Sequence, residues 1–391
     1  LFGGRTDNKM KKICVVTATR AEYGLLHPLI VQLGKEPDFD VQLLVTGTHL
    51  SEQYGATVSE IERDGLPIFR RLPILEPGNT SYDITITMAN AAVRFGGYFQ
   101  EEKPDLLIVL GDRTELLGIC AAALNEHIPI AHIHGGELTE GAVDDCVRHA
   151  VTKLSYLHFP AAEEYRRRII QMGEAPERVF CVGALGVENI LHTALMTKQE
   201  VCDRIGIPME QSYAVVTFHP VTMQPDQVEA QVQELIYAMQ EHGQYFYLIT
   251  KANADAGGAL VNEIFADAEK QHSNIKLVSS LGMKRYLSAV KYARFVLGNS
   301  SSGIIEAPAL GTPTVNIGDR QKGRLMADTV ICCEPEADKI SESMQRAVEM
   351  EHRASTLFGD GTTSKQITDI IKQFIDKMDK NWTKSFYDLE F

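Results

Sequence analysis

Short, continuously apolar runs alternate with stretches of helical spacing along most of this chain. The predicted strands are residues 12–17, 41–46, 106–110 and 128–133 in the first half, then 213–218, 246–250, 275–277, 295–297 and 314–317 in the second. Continuous rather than alternating hydrophobicity is typical of parallel strands that helices cover on both faces. Two successive series of strands and helices predict an α/β fold of two doubly wound domains, with the carboxyl-end loops around a shared cleft.

The same pattern predicts the domain boundaries. We expect an N-terminal domain over residues 10–185 and a C-terminal domain over residues 205–364, with a hinge inside 183–208, where no clear strand occurs. Residues 365–391 begin with helical spacing and predict a C-terminal helix and tail. Residues 1–9 precede the first methionine and are interpreted as an expression remnant.

Composition narrows the class of protein. The 391 residues are 44% hydrophobic and 23% charged, as in globular proteins with two domains of ordinary size. No apolar run is long enough for a membrane span and no signal peptide is recognised, so a cytoplasmic location is expected. The net charge of −14 argues against nucleic-acid binding but permits an anionic small ligand, because a few local arginines can outweigh the global field. The seven cysteines form no CxxC pair and are interpreted as reduced thiols.

The segment from Gly298 to Arg324 carries the strongest chemical signal. Residues 295–297, directly before it, are apolar, and three consecutive serines follow: Ser300, Ser301 and Ser302. A serine-rich turn before a helix offers unpaired backbone N–H groups beside the positive end of the helix dipole, an arrangement that binds phosphate. Glu306 is placed to accept hydrogen bonds from a ribose, and Arg320 to neutralise phosphate oxygens. The alternative is a serine cap that serves stability alone, which Glu306, Arg320 and Arg324 together disfavour.

Polar side chains also follow the predicted strands of the first half. Arg20, in the sequence TRAEYG, lies where a pyrophosphate would meet both its guanidinium and a helix N-terminus, although a surface arginine is an equal alternative. The sequence is not a GxGxxG fingerprint, so no dinucleotide cofactor is indicated. Asp112, in LGDR, is either a general base or a helix cap, and taken by itself the cap is favoured.

The sequence HIHGGE places two imidazoles close together. On an extended strand His132 and His134 would share a face, which invites a metal site with Glu137 or Asp144 as a third ligand. Metal-free proton transfer by the same groups is the favoured interpretation. Asp144 and Arg148 share one side of a helix, where the alternative is a solvated ion pair.

Two loops of the second half add further candidates. His219 stands at the carboxyl end of the first strand there, and Lys251 and Asn253 follow the next strand. A single loop histidine is usually unremarkable, but the carboxyl end of a parallel strand is where ligands bind.

Taken together, these motifs resemble the UDP-N-acetylglucosamine 2-epimerase family, most closely its hydrolysing, NeuC-like branch. TRAEYG, LGDR, HIHGGE, RHAVTKLSYLHF, FHP and the 298–324 segment occur in the family's order over nearly the whole chain. The resemblance implies a GT-B-like fold of two Rossmann-like domains facing a central cleft. The N-terminal domain would serve the sugar and the C-terminal domain UDP, with the last helix returning toward the N-terminal domain.

The resemblance also implies roles for individual residues. The implied UDP ligands are Arg20, Arg113, His219, Asn253, Ser300, Ser301, Ser302, Glu306 and Arg320. The implied catalytic group is Asp112, Glu137 and Asp144, with His134 and His219. Many family members carry Glu where this chain has His134, so Glu137 or His134 is expected to do the work of that glutamate, and which carboxylate or histidine of the group is the base stays open.

The implied reaction releases UDP and a free 2-epimerised hexosamine without a redox cofactor or a metal. The expected substrate is UDP-N-acetylglucosamine or UDP-N,N′-diacetylbacillosamine, for sialic- or legionaminic-acid-type biosynthesis. A homo-oligomer, dimer or tetramer, is expected, with no nucleic-acid or membrane partner. The alternatives are a non-hydrolysing epimerase, a GT-B glycosyltransferase and a nucleotide-sugar-binding regulator without catalysis.

Overall fold

The computed structural model describes residues 10–78, 80–138, 143–220, 227–252, 258–278, 281–375 and 383–390. The expression remnant predicted at residues 1–9 and the candidate ligand Asn253 lie outside these residues. The chain divides into two compact units. The N-terminal unit comprises Leu1–Asn189 and Gly359–Phe391, and the C-terminal unit comprises Ile190–Phe358.

The N-terminal unit is a parallel sheet with helices on both faces. Its strands are β1 (Lys11–Thr17), β2 (Phe39–Thr46), β3 (Ile68–Leu72), β4 (Leu106–Leu110), β5 (Ile130–Ile133) and β6 (Leu157–Phe159). Its helices include α1 (Arg20–Leu33), α2 (Val58–Arg63), α3 (Ser81–Glu102), α4 (Glu115–Asn125), α5 (Val143–Leu154) and α6 (Glu163–Gln171). Helix α7 (Leu185–His192) begins in this unit and ends three residues past its boundary at Asn189. The strands lie in the order β3-β2-β1-β4-β5-β6, and every neighbouring pair is parallel.

The C-terminal unit repeats this plan. Its strands are β7 (Tyr213–Thr217), β8 (Phe246–Thr250), β9 (Ile275–Val278), β10 (Phe295–Gly298), β11 (Thr314–Ile317) and β12 (Val330–Cys333). Its helices include α8 (Lys198–Ile205), α9 (Val228–Glu241), α10 (Gly258–Gln271), α11 (Met283–Tyr292), α12 (Glu306–Leu310) and α13 (Ala337–Glu349). The order is β12-β11-β10-β7-β8-β9, again parallel throughout. The predicted α/β fold of two doubly wound sheets is confirmed.

Burial on both faces explains the continuous hydrophobic runs. In β1, Ile13 and Val15 join a core cluster that contains α1, whereas Cys14 and Val16 join a second cluster that contains α3 and α4. Both faces of β1 are therefore excluded from water from Ile13 to Thr17. The strands that the sequence pattern missed, β3, β6 and β12, all lie at sheet edges. Their burial is partial or their length is short, so they lack this signal.

The last helix of the described chain, α14 (Thr363–Ile375), packs within the N-terminal unit. Its Ile367, Ile371 and Ile375 belong to the same core cluster as α1. At its start, the hydroxyl and N–H groups of Ser364 both donate to the buried carboxylate of Glu188, at 2.7 Å. None of the described helices combines the length and apolarity that a membrane span requires.

A buried carboxylate anchors the C-terminal tail. Glu174 is fully buried, and its oxygens accept hydrogen bonds or ion pairs from Lys153, His158 and Lys384. Lys384 also donates to the carbonyls of Lys153 and Ser155. Burial alone would raise the pKa of Glu174, but its hydrogen-bonding partners outweigh burial and lower that pKa to about 2.

The substitution Lys384→Met should lower the free energy of unfolding by roughly 1–3 kcal/mol, because it leaves a buried acceptor less well paired. Since the pKa of Glu174 is lowered on folding, the loss should be full above pH 4.5, the ordinary pKa of a glutamate, and should vanish as the pH falls toward 2. Urea unfolding at several pH values measures it. Lys365→Met, which removes an exposed ion pair with Asp369, is the matched control and should change stability little. Equal effects of the two substitutions would contradict the assigned role of Lys384.

Candidate active site

The strand order of each sheet reverses between two central neighbours, β1 and β4 in one unit and β7 and β10 in the other. Ligands of open α/β sheets bind at such reversal points, outside the carboxyl ends of the strands. The motifs identified from the sequence follow these strands: TRAEYG follows β1, LGDR follows β4, FHP follows β7 and GNSSSG follows β10. Each unit therefore carries polar candidate residues at its own reversal point.

Asp112 is held by Arg148 immediately after β4. The buried guanidinium of Arg148, on α5, donates to the Asp112 carboxylate and lies 3.9 Å from the carboxylate of Asp145. Burial raises the pKa of Asp112, the charge of Arg148 opposes the rise, and the charge of Asp144 adds to it, with a net increase. Asp112 is therefore oriented by a cation and binds a proton more readily than an ordinary aspartate.

His132 supports this loop from the core. The imidazole is fully buried, with Nε2 2.7 Å from the carbonyl of Gly111 and Nδ1 3.1 Å from the hydroxyl of Thr152. A carbonyl only accepts, so Nε2 carries the hydrogen and Nδ1 accepts from Thr152. Burial lowers the pKa of His132 to about 3, so the ring is neutral. His132 thus fixes the carbonyl directly before Asp112.

The expectation that His132 and His134 share one face of a strand is wrong. Strand β5 ends at Ile133, and His134 has a left-handed backbone with φ +64°, which interrupts the alternation of side chains. His134 instead turns toward Glu137, with its Nδ1 3.1 Å from a carboxylate oxygen. Within the described part of the chain, no group of three His, Cys, Asp or Glu side chains is arranged to hold a metal ion.

Two cavities open at this reversal point. The smaller, of about 310 Å³, is lined by Asp112, Arg113, His134, Glu137 and Arg148 among others, and we call it the Asp112–Glu137 cavity. The larger, of about 690 Å³, is lined by Asp112, Arg113 and Asp144 together with loops after β2 and β3. The structure therefore brings three of the candidate catalytic residues to one cavity and places Asp144 on the other.

The two arginines proposed near the nucleotide differ in placement. The Arg20 side chain is 71% exposed and pairs with Glu60 at 2.9 Å. Arg20 does not line either of these two cavities. Arg113 lines both cavities, and its Nε donates to the buried carboxylate of Glu115 at 2.6 Å.

In the C-terminal unit, the serine turn follows a strand end that requires glycine. Gly298 closes β10 with φ +132°, and a Cβ there would lie 2.0 Å from the carbonyl oxygen of Thr217. Only glycine permits this close approach of backbones. The turn that follows is thereby held against β7.

The helix predicted after the serines begins at Glu306, and a 3₁₀ helix, Ser301–Gly303, precedes it. The Ser300 hydroxyl accepts from the N–H of Ser302 at 3.3 Å, and the Ser300 carbonyl accepts from the N–H of the last residue of this 3₁₀ turn. Within the described residues, the N–H groups of Ser300 and Ser301 have no acceptor. The turn therefore offers two free backbone donors, fewer than the sequence suggested.

Asn299 joins three loops of this unit and was not identified from the sequence. Its buried amide accepts from the N–H of His219 at 2.7 Å and donates to the His219 carbonyl at 2.8 Å. Its own carbonyl accepts from Arg320 at 3.1 Å and from Gln321 at 2.9 Å. The signal that the sequence offered for Asn299 was an amide side chain directly after a strand at the reversal point. Asn299 thus fixes His219 and Arg320 relative to the serine turn.

Two further candidates complete this group. Ser302 is buried, and its hydroxyl accepts from the phenol of Tyr286 at 2.7 Å, so its oxygen is tied to α11. Glu306 is half-buried at the start of α12, and burial raises its pKa, opposed by hydrogen bonds from its own backbone and from Ser302. The candidate residues around the serine turn are therefore polar, partly buried and held by hydrogen bonds to one another.

The chain belongs to the UDP-N-acetylglucosamine 2-epimerase family, whose model matches residues 31–372. It is 38% identical to the GDP/UDP-N,N′-diacetylbacillosamine 2-epimerase (hydrolyzing) of Campylobacter jejuni, over 82% of this chain and 84% of that protein. It is 36% identical to the polysialic acid biosynthesis protein P7 of Escherichia coli, over 97% of this chain and 98% of that protein. The resemblance to this family, stated from the motifs, is confirmed.

Solved structures bear on the fold. The UDP-GlcNAc 2-epimerase of Neisseria meningitidis, solved with UDP-GlcNAc, matches with a TM-score of 0.75 at 18% identity, over 93% of this chain and 100% of that one. The fold is therefore GT-B-like, made of two Rossmann-like units.

The substitution Gly298→Ala should lower the free energy of unfolding by at least about 2 kcal/mol, because the new methyl meets the Thr217 carbonyl and the backbone is left-handed. Gly243→Ala is the control in the same unit, since its Cβ would lie 3.5 Å from its nearest neighbour, an ordinary contact. The control should change stability by less than about 0.5 kcal/mol. Chemical denaturation compares the two, and similar values would show that Gly298 is not constrained.

Proposed function

We propose that this protein is a hydrolysing 2-epimerase, which converts a UDP-linked 2-acetamido sugar and water into UDP and the free 2-epimer. The observation that carries the proposal is the cavity shared by Asp112, His134 and Glu137, in a chain of the epimerase family. Removing and returning a proton at carbon 2 requires such a set of proton-transfer groups. A binding protein without catalysis would not need it.

The C-terminal unit is proposed to hold UDP. The free N–H groups of Ser300 and Ser301 suit phosphate oxygens, and Arg320, held by the Asn299 carbonyl, adds a positive charge. Glu306 would accept from ribose hydroxyls. The remaining proposed UDP ligands are Ser302, His219, Arg20, Arg113 and Asn253. In this assignment residues 205–364 form the UDP-binding domain, and residues 10–185 supply the sugar and acid/base side.

The reaction is proposed to run through an elimination. A proton on carbon 2 is too weakly acidic to be lost in neutral water, so departure of UDP from carbon 1 must assist its removal. Asp112 takes this proton as UDP leaves, and positive charges and backbone donors stabilise the departing diphosphate. The sugar product of this elimination step is a 2-acetamidoglucal. Water then adds at carbon 1 while carbon 2 receives a proton from the opposite face, with Glu137, His134, Asp144 and His219 as the further candidate groups.

The preferred substrate is proposed to be UDP-N,N′-diacetylbacillosamine, with UDP-N-acetylglucosamine as the second candidate. Two relatives support the first: the Campylobacter protein named above, and a Legionella pneumophila protein named UDP-N,N′-diacetylbacillosamine 2-epimerase (hydrolyzing), 34% identical over 93% of this chain. The product would feed sialic- or legionaminic-acid-type biosynthesis. Following the family, the assembly is proposed to be a homo-oligomer, either a dimer or a tetramer.

Incubation with each UDP-sugar in deuterated water tests the function. NMR should detect free UDP and a free 2-epimer that carries deuterium at carbon 2. A UDP-linked epimer would indicate a non-hydrolysing enzyme, and a product without deuterium at carbon 2 would exclude the elimination mechanism. A requirement for a sugar acceptor would indicate a glycosyltransferase.

Two substitutions should separate chemistry from nucleotide binding. Asp112→Asn should lower turnover at least about 100-fold while leaving the Kd for UDP within about threefold, because only the proton-transfer group is lost.

Arg320→Met should weaken UDP binding by about 10- to 100-fold, because this factor corresponds to the loss of one hydrogen bond to a charged group. Calorimetric titration with UDP and a turnover assay measure both variants. Full activity of Asp112→Asn would remove Asp112 from the mechanism.

A further inference from the structure

Glu22 has one carboxylate oxygen that the fold leaves unsatisfied. It is the third residue of α1 and is only 6% exposed. Its Oε2 accepts from the N–H of Ala18 at 2.6 Å. Its Oε1 is buried and has no hydrogen-bond partner among the described residues. A buried carboxyl oxygen without a partner costs free energy and calls for an explanation.

Helix capping does not explain this arrangement. In two other helices of the chain, the acidic residue at the same position completes a capping box: Asp83 bonds the N–H and hydroxyl of Thr80, and Glu200 bonds those of Thr197. Both of those carboxylates lie at the surface, where water satisfies the second oxygen. Glu22 bonds chiefly the N–H of Ala18, the residue before its N-cap Thr19, with a weaker backbone contact to Thr19 itself, and it is buried.

The burial brings Glu22 to the candidate site. Glu22 lines the Asp112–Glu137 cavity, together with Asp112, His134, Glu137 and Arg148. The residue with the unsatisfied oxygen is therefore one of those that line the cavity in which the proton-transfer residues meet. A ligand bound in that cavity is the partner that we assign to this oxygen.

The environment of Glu22 also suits a proton donor. Burial raises the pKa of Glu22 to about 7, and the charge of Glu115 adds to this rise. The hydrogen bond from Ala18 and the charge of Arg113 oppose it. The other charged or titratable groups on the cavity are Asp112, His134, Glu137 and Arg148. Near neutral pH a substantial fraction of Glu22 is protonated, which is the condition for efficient general acid catalysis.

Resting on the proposed function, we propose that Glu22 contacts the sugar in the Asp112–Glu137 cavity and delivers the proton that carbon 2 receives when the glycal is hydrated. The O–H bond of Glu22 breaks, and the electron pair of the glycal double bond forms the new carbon–hydrogen bond. Water forms the bond to carbon 1 and gives its proton to the Glu137 carboxylate. Exchange with solvent then returns Asp112, Glu137 and Glu22 to their starting states, with net release of one proton alongside UDP.

The substitution Glu22→Gln tests this assignment, because glutamine keeps an acceptor for Ala18 but carries no transferable proton. The variant should still release UDP, yet form at least about tenfold less free 2-epimer and accumulate the 2-acetamidoglucal. Quantification of UDP measures its release, and NMR of the sugar products measures the ratio of free 2-epimer to 2-acetamidoglucal. Glu200→Gln, which alters the matching capping position in the C-terminal unit, should leave the product ratio unchanged.

A Glu22→Gln variant with the product ratio of the unsubstituted protein overturns the proposal. So does a variant of unchanged melting temperature that no longer releases UDP, because Glu22 would then act before the hydration step. If the unsubstituted protein releases no UDP from any UDP-sugar, the proposed function itself fails.

Hydration of added 2-acetamidoglucal by the unsubstituted protein gives a measurement independent of whether the variant folds. Its rate should fall as the pH rises through about 7, as Glu22 loses its proton. A rate that stays constant from about pH 6 to 8.5 overturns the assignment of Glu22 as the acid.

Discussion

The reversal of strand order at the centre of each sheet is the constraint on which the candidate sites depend. Helix α1, which follows β1, packs in a core cluster on one face of its sheet, and α4, which follows β4, packs on the other. The same holds for α9 and α12, which follow β7 and β10. Because the two connections leave in opposite directions, the loops between them diverge and backbone and side-chain groups are left open to a ligand.

Burial then decides what each acidic side chain can do. Glu174 and Glu22 are both buried carboxyl groups of the N-terminal unit, yet their pKa values move in opposite directions. Glu174 has three cationic or imidazole partners and stays ionised, so it serves structure. Glu22 is paired with backbone N–H groups, chiefly that of Ala18, and holds its proton more firmly. The number and kind of hydrogen-bonding partners therefore distinguish a buried carboxylate that serves structure from a buried carboxyl group suited to proton transfer.

Much of the fold could be predicted from the sequence, because buried parallel strands leave a continuous apolar signal. The edge strands β3, β6 and β12 could not, since solvent reaches one side of them or they are very short. Candidate residues could be assigned to the loops that follow the strands, because those strands have a strong apolar signal. Asp112, for example, is the second residue after β4.

The mutual geometry of the site needed the structure. Nothing in the pattern shows that His134 adopts a left-handed backbone, that the Asn299 amide braces the His219 loop, or that one oxygen of Glu22 lacks a partner. These features arise from contacts between segments far apart in the sequence. Local propensity and periodicity contain no information about them.

The placement of α14 has a consequence for the order in which the protein matures. Three isoleucines of this helix complete the core of the N-terminal unit, although they are encoded after the whole of the C-terminal unit. During synthesis on the ribosome, the unit made first must therefore wait, with an apolar wall uncovered, until the last part of the chain emerges. The usual vectorial sequence of domain folding is inverted, and the second unit can finish before the first.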